Sequence, residues 1–219
     1  DTLRLQDGQR VRLIGVNTPE LSHYGRPVEP FAVQAQRRLQ ALVAANDGYV
    51  GLQVGSQAKD HYGRTLAHAY DARGQNLEAQ LLAEGLGYLV AIPPNTAQVA
   101  CQRSAEQQAR KARQGLWRQS PILTAEQLRS SGFAVLRGRV ERVQRNRGGL
   151  WIELRGPLVL RISPAQLAGV DQAALQRLPS QQIVARGWVI DRAKRGGVKN
   201  GQGRWLLPLS HPAMFEELP

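Results

Sequence analysis

Apolar and polar positions alternate from the start of the chain. Thr2, Leu3, Arg4 and Leu5 lead into Asp7-Gly8, and Val11, Leu13 and Val16 resume the pattern beyond it. A period of two marks half-buried strands, and Asp-Gly between two such runs marks a hairpin turn. Asn17-Thr18-Pro19-Glu20 breaks the run, because proline brings no ladder donor, and a loop carrying Gly25 follows. Residues 27–45 switch to helical spacing, with Phe31, Ala35, Leu39 and Leu42 on one face. Asn46-Asp47-Gly48 closes that helix. Strands are predicted at 49–54 and 64–70, joined through the turn His61-Tyr62-Gly63. Asn76 is a natural N-cap for a helix running to Glu84 and closed by Gly85; a longer helix over about 97–114 has Gly115 as its C-cap. Strands and helices are segregated, not alternating, which predicts an α+β fold.

From residue 133 the texture turns to β. Strands are predicted at 134–143, 150–154, 158–162, 183–190 and 205–209, with one helical stretch, 164–177, between the third and fourth. Five strands with a helix after the third is the pattern of an OB-type β-barrel; a small open sandwich fits it nearly as well. Residues 120–131, with Pro121, read as a linker. The expected organisation is a domain over 1–119, a linker, and a small mainly-β domain over 132–219.

The length of 219 residues allows one large domain or two small ones, and 42% hydrophobic with 21% charged residues is an ordinary globular composition. No run of about 18 apolar residues occurs, so membrane-spanning functions of the helical kind are excluded. Charge narrows the choice further. Lys and Arg number 29 against 17 Asp and Glu, a net of +12. Residues 1–129 carry 15 basic against 11 acidic side chains and residues 130–219 carry 14 against 6, so the shorter segment holds two-thirds of the excess. Such a balance points to a polyanionic partner, nucleic acid first and an anionic membrane surface second; a solubilising surface is the plain alternative. Arg far outnumbers Lys, and Arg grips phosphate with two parallel donors. No protein partner is indicated. The single cysteine, Cys101, excludes an intrachain disulfide and a cysteine-based zinc site, and is expected to be a buried thiol beside Val99 and Ala100. His23, His61, His68 and His211 show no metal-ligand spacing. The chain opens in mid-pattern without Met, and the expectation is that an upstream segment has been removed.

Three clusters in the first half carry chemical potential: Arg12 in its strand, Asn17-Thr18-Pro19-Glu20 just behind it, and Asp60-His61-Tyr62-Gly63-Arg64 in a turn between strands. Phosphodiester hydrolysis needs an activated water, a cation near the phosphorus, donors for the equatorial oxygens and a route for the leaving oxygen. Glu20 suits the water, and Arg12 with Arg64 suits the phosphate. Asp1, the Asn17 amide oxygen and the Thr18 carbonyl are hard oxygen ligands suited to calcium. Taken alone, an Arg in a strand beside a loop Glu is more often a structural ion pair.

Residues 1 to about 118 resemble the staphylococcal nuclease (thermonuclease) family. The resemblance is carried, in order, by Asp1-Thr2, by Val11-Arg12-Leu13-Ile14-Gly15-Val16-Asn17-Thr18-Pro19-Glu20, by Asp60-His61-Tyr62-Gly63-Arg64-Thr65-Leu66-Ala67, by Leu81-Leu82-Ala83-Glu84-Gly85-Leu86-Gly87, and by the helix around Ala105-Glu106 with the closing Gly115-Leu116-Trp117. It implies a five-stranded OB-type barrel with three helices, a metal-dependent nuclease acting on DNA or RNA, and, with the missing start, export to a bacterial periplasm or medium. By the same resemblance Arg12 and Arg64 are catalytic phosphate ligands and Glu20 serves the attacking water. Asp1, Asn17 and Thr18 hold Ca2+, and Tyr62 and His61 contact substrate. Three departures stand out. Asn17 replaces a metal carboxylate, which lowers calcium affinity or changes the preferred ion. His61 replaces a lysine and grips phosphate only when protonated. The tyrosine-rich loop beside the bound base has no match; Tyr88 and Ile92-Pro93-Pro94 occupy that region. A weak or inactive binding module on the same scaffold is the competing reading.

In the second half, Arg137, Arg139, Arg142, Arg145, Asn146, Arg147 and Gly148-Gly149 form an Arg-dense strand and hairpin, and Arg192, Lys194, Arg195 and Lys199 a second basic loop. Arg145 and Arg147 are the candidate phosphate contacts. Trp151, Trp188 and Trp205 fall within strands, where they serve either as core or as stacking surfaces for single strands.

Overall fold

The alternation near the N-terminus resolves into a hairpin in the computed structural model, which describes residues 1–22 and 24–218; His23 and Pro219 lie outside the described residues. Strands β1 (Thr2–Arg4) and β2 (Arg10–Leu13) pair antiparallel. Asp7-Gly8 turns the chain between them, with Gly8 N–H donating to the Leu5 carbonyl at 3.0 Å. After a break at Ile14-Gly15 comes β3 (Val16–Asn17).

Helix α1 (Ala32–Ala44) starts five residues later than its apolar spacing suggests. Pro30 keeps the residue before it out of helical geometry, and Phe31 takes φ 67°, ψ 2° ahead of the first turn. Ala32, Ala35, Leu39 and Leu42 are the buried face. Strand β4 (Gly51–Lys59) begins later and runs further than expected, pairing with β5 (Thr65–Tyr70) across a register shift between Val54 and Lys59. Helix α2 (Leu77–Ala83) is capped as its sequence implies, the Asn76 side chain accepting from Ala79 N–H at 2.9 Å. Strand β6 (Tyr88–Leu89) pairs with β3, and α3 (Val99–Ala112) follows. Its left-handed C-cap is Arg113, not Gly115. Gly115 instead lies against the backbone of Gly85, whose carbonyl accepts from Leu116 N–H at 2.8 Å.

The strands of this first unit form a sheet in the order β1-β2-β5-β4 and a separate β3-β6 pair. Its inner surface is Val11, Leu13, Val16, Ala67, Ala69, Leu77, Leu81 and Leu82. Cys101 is exposed, contrary to the expected buried thiol. The buried stripe of α3 is Gln102, Ala105, Glu106 and Ala109, at spacings of three and four residues, which leaves position 101 outside it. Two of those four residues are polar, and each secures a backbone group: Leu89 N–H donates to Glu106 Oε2 at 2.6 Å, and Gln102 Nε2 donates to the Ile14 carbonyl at 2.9 Å. A second buried acid, Glu78, accepts from Ala69 N–H at 3.1 Å and from Asn76 Nδ2 at 2.8 Å and sits 2.9 Å from His68 Nδ1.

The chain divides into two compact units, Asp1–Ser120 and Pro121–Pro219. The stretch read as a linker is partly ordered within the second. Strand β7 (Leu123–Thr124) runs parallel to the next strand, a capping box between Thr124 and Gln127 starts a 3-10 turn, and Ala125 and Leu128 are buried. Then come β8 (Gly132–Asn146), β9 (Gly149–Leu154), β10 (Leu158–Ile162), α4 (Pro164–Leu167), α5 (Gln172–Gln176), β11 (Gln182–Asp191), β12 (Trp205–Pro208) and β13 (Phe215–Glu217). The single helix expected over 164–177 is two short ones, separated at Gly169. Pairings β8-β9, β9-β10, β10-β12, β12-β11 and β11-β8 form a ring of five strands in which only β10-β12 is parallel. Among the described residues no helix is long and apolar enough to cross a membrane.

Gly15 makes this packing testable. It has φ +94°, and a Cβ there would overlap the Gln102 side-chain amide. Gly15→Ala is expected to destabilise the first unit by about 2 kcal/mol or more, from backbone strain plus displacement of a buried donor. Urea denaturation followed by tryptophan fluorescence reads it; an unchanged midpoint would contradict this packing.

Candidate active site

The turn after β2 gathers polar groups around one buried cation. Arg12 points from β2 with its side chain only 13% exposed. Its Nη1 donates to the carbonyls of Leu13 (2.9 Å) and Val16 (2.7 Å), and Nη2 donates to Asn17 Oδ1 at 3.3 Å. Nη1 also lies 3.5 Å from Asp1 Oδ2. That carboxylate oxygen accepts from both Thr18 N–H and Thr18 Oγ1 at 3.1 Å. Asn17 and Thr18 are themselves buried, so the segment after β3 is tied to β1 on one side and to Arg12 on the other. Burial, and then the neighbouring Arg64 cation, push the Arg12 guanidinium down to about 10, with Glu20 and Asp60 opposing. It stays charged at neutral pH.

Arg64 opens β5 and is held from below. Asp60, four residues earlier, accepts Arg64 N–H on Oδ1 at 2.9 Å and Arg64 Nε on Oδ2 at 2.8 Å. The same Oδ1 accepts Tyr62 N–H at 3.0 Å, closing the turn. Arg64 Nη1 reaches Thr2 Oγ1 at 3.4 Å. Burial raises the Asp60 carboxyl, but the donors from Arg64 and Tyr62 together outweigh it and hold the group below the usual carboxylate range. Tyr62 is exposed, its ring 5.5 Å from Arg64 Cζ and 3.8 Å from the exposed His61 ring.

Glu20 is exposed beyond Pro19. Its backbone is fixed, since Glu20 N–H donates to Glu29 Oε2 at 2.8 Å and Glu29 N–H donates to the Glu20 carbonyl at 3.0 Å. Asp1, Thr18 and Glu20 line one open cleft of about 660 Å3, whose far wall is α1 with Leu39 and Val43. The structure therefore brings Asp1, Arg12, Asn17, Thr18 and Glu20 together, with Arg64 alongside through Thr2 and Tyr62 next to Arg64. Arg145 and Arg147 belong to the second unit, at the end of β8 and in the turn after it. Sequence reasoning assigned no role to Asp60 as the anchor of Arg64 or to Glu29 as the anchor of the Glu20 backbone. An Asp four residues ahead of an Arg across a Gly turn is the signal for the first; the second has no local signal.

Two like cations packed against one another are costly unless an anion joins them. Asp1, Asp60 and Glu20 set three carboxylates against two guanidinium groups. The arrangement thus suits a divalent cation together with an anionic ligand. The carboxylates of Asp1 and Glu20 and the oxygens of Thr18 at the cleft would favour a hard ion of flexible coordination. Among the described residues no three Asp, Glu, His or Cys side chains gather to hold a metal, so neutral oxygens from Asn17 and Thr18 would have to complete such a set.

The family model described as staphylococcal nuclease homologue matches residues 10–119, a stretch that includes Arg12, Asn17, Thr18, Glu20, Tyr62 and Arg64. Similar proteins include a thermonuclease of Staphylococcus intermedius, 33% identical over 114 residues, covering 51% of this chain and 66% of the relative. The endonuclease YncB of Bacillus subtilis is 32% identical over 129 residues, covering 57% and 60%. A probable endonuclease LCL3 of Schizophyllum commune is 31% identical over 121 residues, covering 49% and 39%. The chain therefore spans between 39% and 66% of the length of these curated relatives.

The Asp60–Arg64 pair carries a pH signature. A carboxyl lowered in the folded state contributes stability that is complete above its unfolded value, near 3.8, and is lost as pH falls through the lowered folded value. Asp60→Asn is expected to cost on the order of 1–2 kcal/mol at pH 7, with the difference from wild type closing as pH drops below about 4. Denaturation midpoints at pH 7, 4 and 2.5 read this; a difference that persists unchanged to pH 2.5 would contradict it.

Proposed function

Since the chain belongs to the staphylococcal nuclease homologue family, we propose that it hydrolyses phosphodiester bonds of DNA or RNA, acting on single-stranded or unpaired substrate. The observation that carries this reading is the juxtaposition of Arg12, Arg64 and Glu20 around Asp1, which lines the cleft together with Glu20, within or next to the stretch the family matches. Arg12 and Arg64 hold the scissile phosphate and meet the charge that grows on its equatorial oxygens. Arg12 is already desolvated and fixed by backbone carbonyls, so little reorganisation accompanies that charge. Glu20 takes the proton of the attacking water, or orients it, from a backbone position that Glu29 fixes. Tyr62 and His61 meet the substrate beside Arg64. Asp1, the Asn17 amide oxygen and the Thr18 carbonyl would hold a divalent ion, calcium first, which when bound polarises the phosphate and lowers the proton affinity of water.

The ring of five strands in the second unit, with its parallel β10-β12 pair, supports reading that unit as an OB-type barrel that helps to hold nucleic acid, with Arg145 and Arg147 meeting phosphates. The first unit's four-stranded sheet, β3-β6 pair and three helices support the five-stranded barrel-and-helices fold implied by the family. A binding module without catalysis is the second reading; the neutral Asn17 where a carboxylate is usual favours it.

Glu20→Gln is expected to lower single-turnover cleavage of an unpaired oligonucleotide by about 10²- to 10⁴-fold, and Arg64→Ala by about 10²- to 10³-fold, with unfolding midpoints near wild type for Glu20→Gln. Equal rates for Glu20→Gln and wild type would remove Glu20 from the chemistry. Restoring a charged ligand with Asn17→Asp is expected to lower the calcium concentration needed for half-maximal cleavage; a higher requirement would place the ion elsewhere.

A further inference from the structure

The four tryptophans of the chain have different surroundings. Trp117 and Trp205 are buried, at 8% and 3% exposure, and Trp188 is 40% exposed and packs edge-on against Phe133. Trp151, in β9, is partly exposed yet fixed on several sides by polar groups. Its indole N–H donates to Asn146 Oδ1 at 2.9 Å, and that oxygen also accepts Gly148 N–H at 2.8 Å. Arg161, its register partner on β10, places its guanidinium carbon 5.4 Å from the ring centroid. Arg161 Nε donates to the Gly148 carbonyl at 2.8 Å, which holds the cation in place. Gly148 lies against the ring, close enough that a Cβ there would meet Trp151 Cζ2 at 3.3 Å. A core tryptophan needs burial and a casual surface tryptophan has no such fixation. A ring with its edge satisfied and a cation over it is pre-organised for another planar group.

The hairpin that carries this ring is cationic in a selective way. Arg142 is neutralised, its Nε and Nη2 both taken by Glu153 at 2.6 and 2.9 Å. Arg145 and Arg147 are exposed, and neither is paired with a carboxylate among the described residues. Arg145 donates only to a neutral acceptor, Gln172 Oε1, at 2.8 Å. Two available guanidinium groups sit on the same hairpin as the aromatic platform, Arg145 one position beyond Gln144, the strand partner of Trp151, and Arg147 in the turn. An unstacked base fits the platform and its neighbouring phosphates fit the arginines, whereas a duplex keeps its bases covered.

We propose that Trp151 is the base-stacking platform of a single-stranded polynucleotide site on the β8-β9 hairpin, with Arg145 and Arg147 binding the adjoining phosphates. This rests on the reading that nucleic acid is the substrate, and it locates where the second unit holds it. The site accepts DNA and RNA alike, because stacking and phosphate contacts ignore the 2′ position.

The test uses the full chain carrying Glu20→Gln, in chelator, so that binding is read without turnover. Fluorescence anisotropy of labelled dT12 and rU12 measures affinity, with heparin as a polyanion that has no bases. Adding Trp151→Leu is expected to weaken both oligonucleotides about 5- to 150-fold, the range that one stacked base contributes, and to leave heparin affinity unchanged. Trp151→Phe is expected to recover most of the loss. Replacing Arg145 and Arg147 with Gln is expected to weaken oligonucleotides and heparin together. It is also expected to flatten the log–log salt dependence by about 0.7 for each phosphate no longer neutralised. Unchanged oligonucleotide binding in Trp151→Leu would overturn the proposal. So would an equal loss of oligonucleotide and heparin in that variant, or a Trp151→Phe variant no better than Leu. Lack of cleavage by the wild-type chain in every metal ion would count against the nuclease reading alone.

Discussion

A guanidinium taken out of water must be surrounded by oxygen, and the first unit is arranged around that requirement at Arg12. The carbonyls of Leu13 and Val16, the amide oxygen of Asn17 and the carboxylate of Asp1 supply it. Reaching two carbonyls within four residues of its own position forces the backbone to turn sharply after β2. Gly15 has the positive φ that this turn adopts, and Gln102 from α3 takes up the Ile14 carbonyl that it exposes. One buried cation thereby couples a strand, a turn and a helix distant in sequence. The same turn delivers Thr18 and Glu20 to the cleft.

Charge balance gives this arrangement its chemical direction. Arg64 sits close enough to depress Arg12, so the pair is kept together by carboxylates rather than by mutual preference. Asp60 immobilises Arg64 and Asp1 engages Arg12, while Glu20 leaves its side chain exposed and commits only its backbone. Groups fixed in advance and groups left available are thus separated by residue. The second unit repeats that division on a smaller scale. Arg142 and Arg204 are occupied by Glu153 and Asp191, while Arg145 and Arg147 are not paired with acids among the described residues.

Much of this was legible in the sequence where the signal is local. The Asp7-Gly8 turn, the Asn76 cap and the Ala35, Leu39 and Leu42 stripe of α1 depend on residues a few positions apart and form as their patterns imply, whereas Phe31, read onto that face, is half-buried and precedes the helix, and Ala32 takes its place. Long-range burial was not legible. Whether Cys101 faces in or out depends on which side of α3 meets the sheet, and two of the four buried positions on that side are polar. Trp205 became core while Trp188 stayed at the surface, although both fall within strands. Residues 120–131 look like a linker because their apolar positions are sparse, yet pairing of β7 with β8 is a tertiary event that no local pattern announces. For the candidate site, the family resemblance pointed to Arg12, Glu20 and Arg64. The anchoring by Glu29 emerged only when the loop between residues 20 and 29 closed on itself.

Under the proposed function these groups act together on a phosphodiester with the aid of a divalent ion. Release of acid-soluble fragments from heat-denatured DNA and from RNA, each with calcium, with magnesium and with chelator, tests it most directly. The expected result is fragment release that requires a divalent ion and stops in chelator. Intact polymer under every ion, with both nucleic acids still bound by the protein, would contradict the claim and leave a binding module.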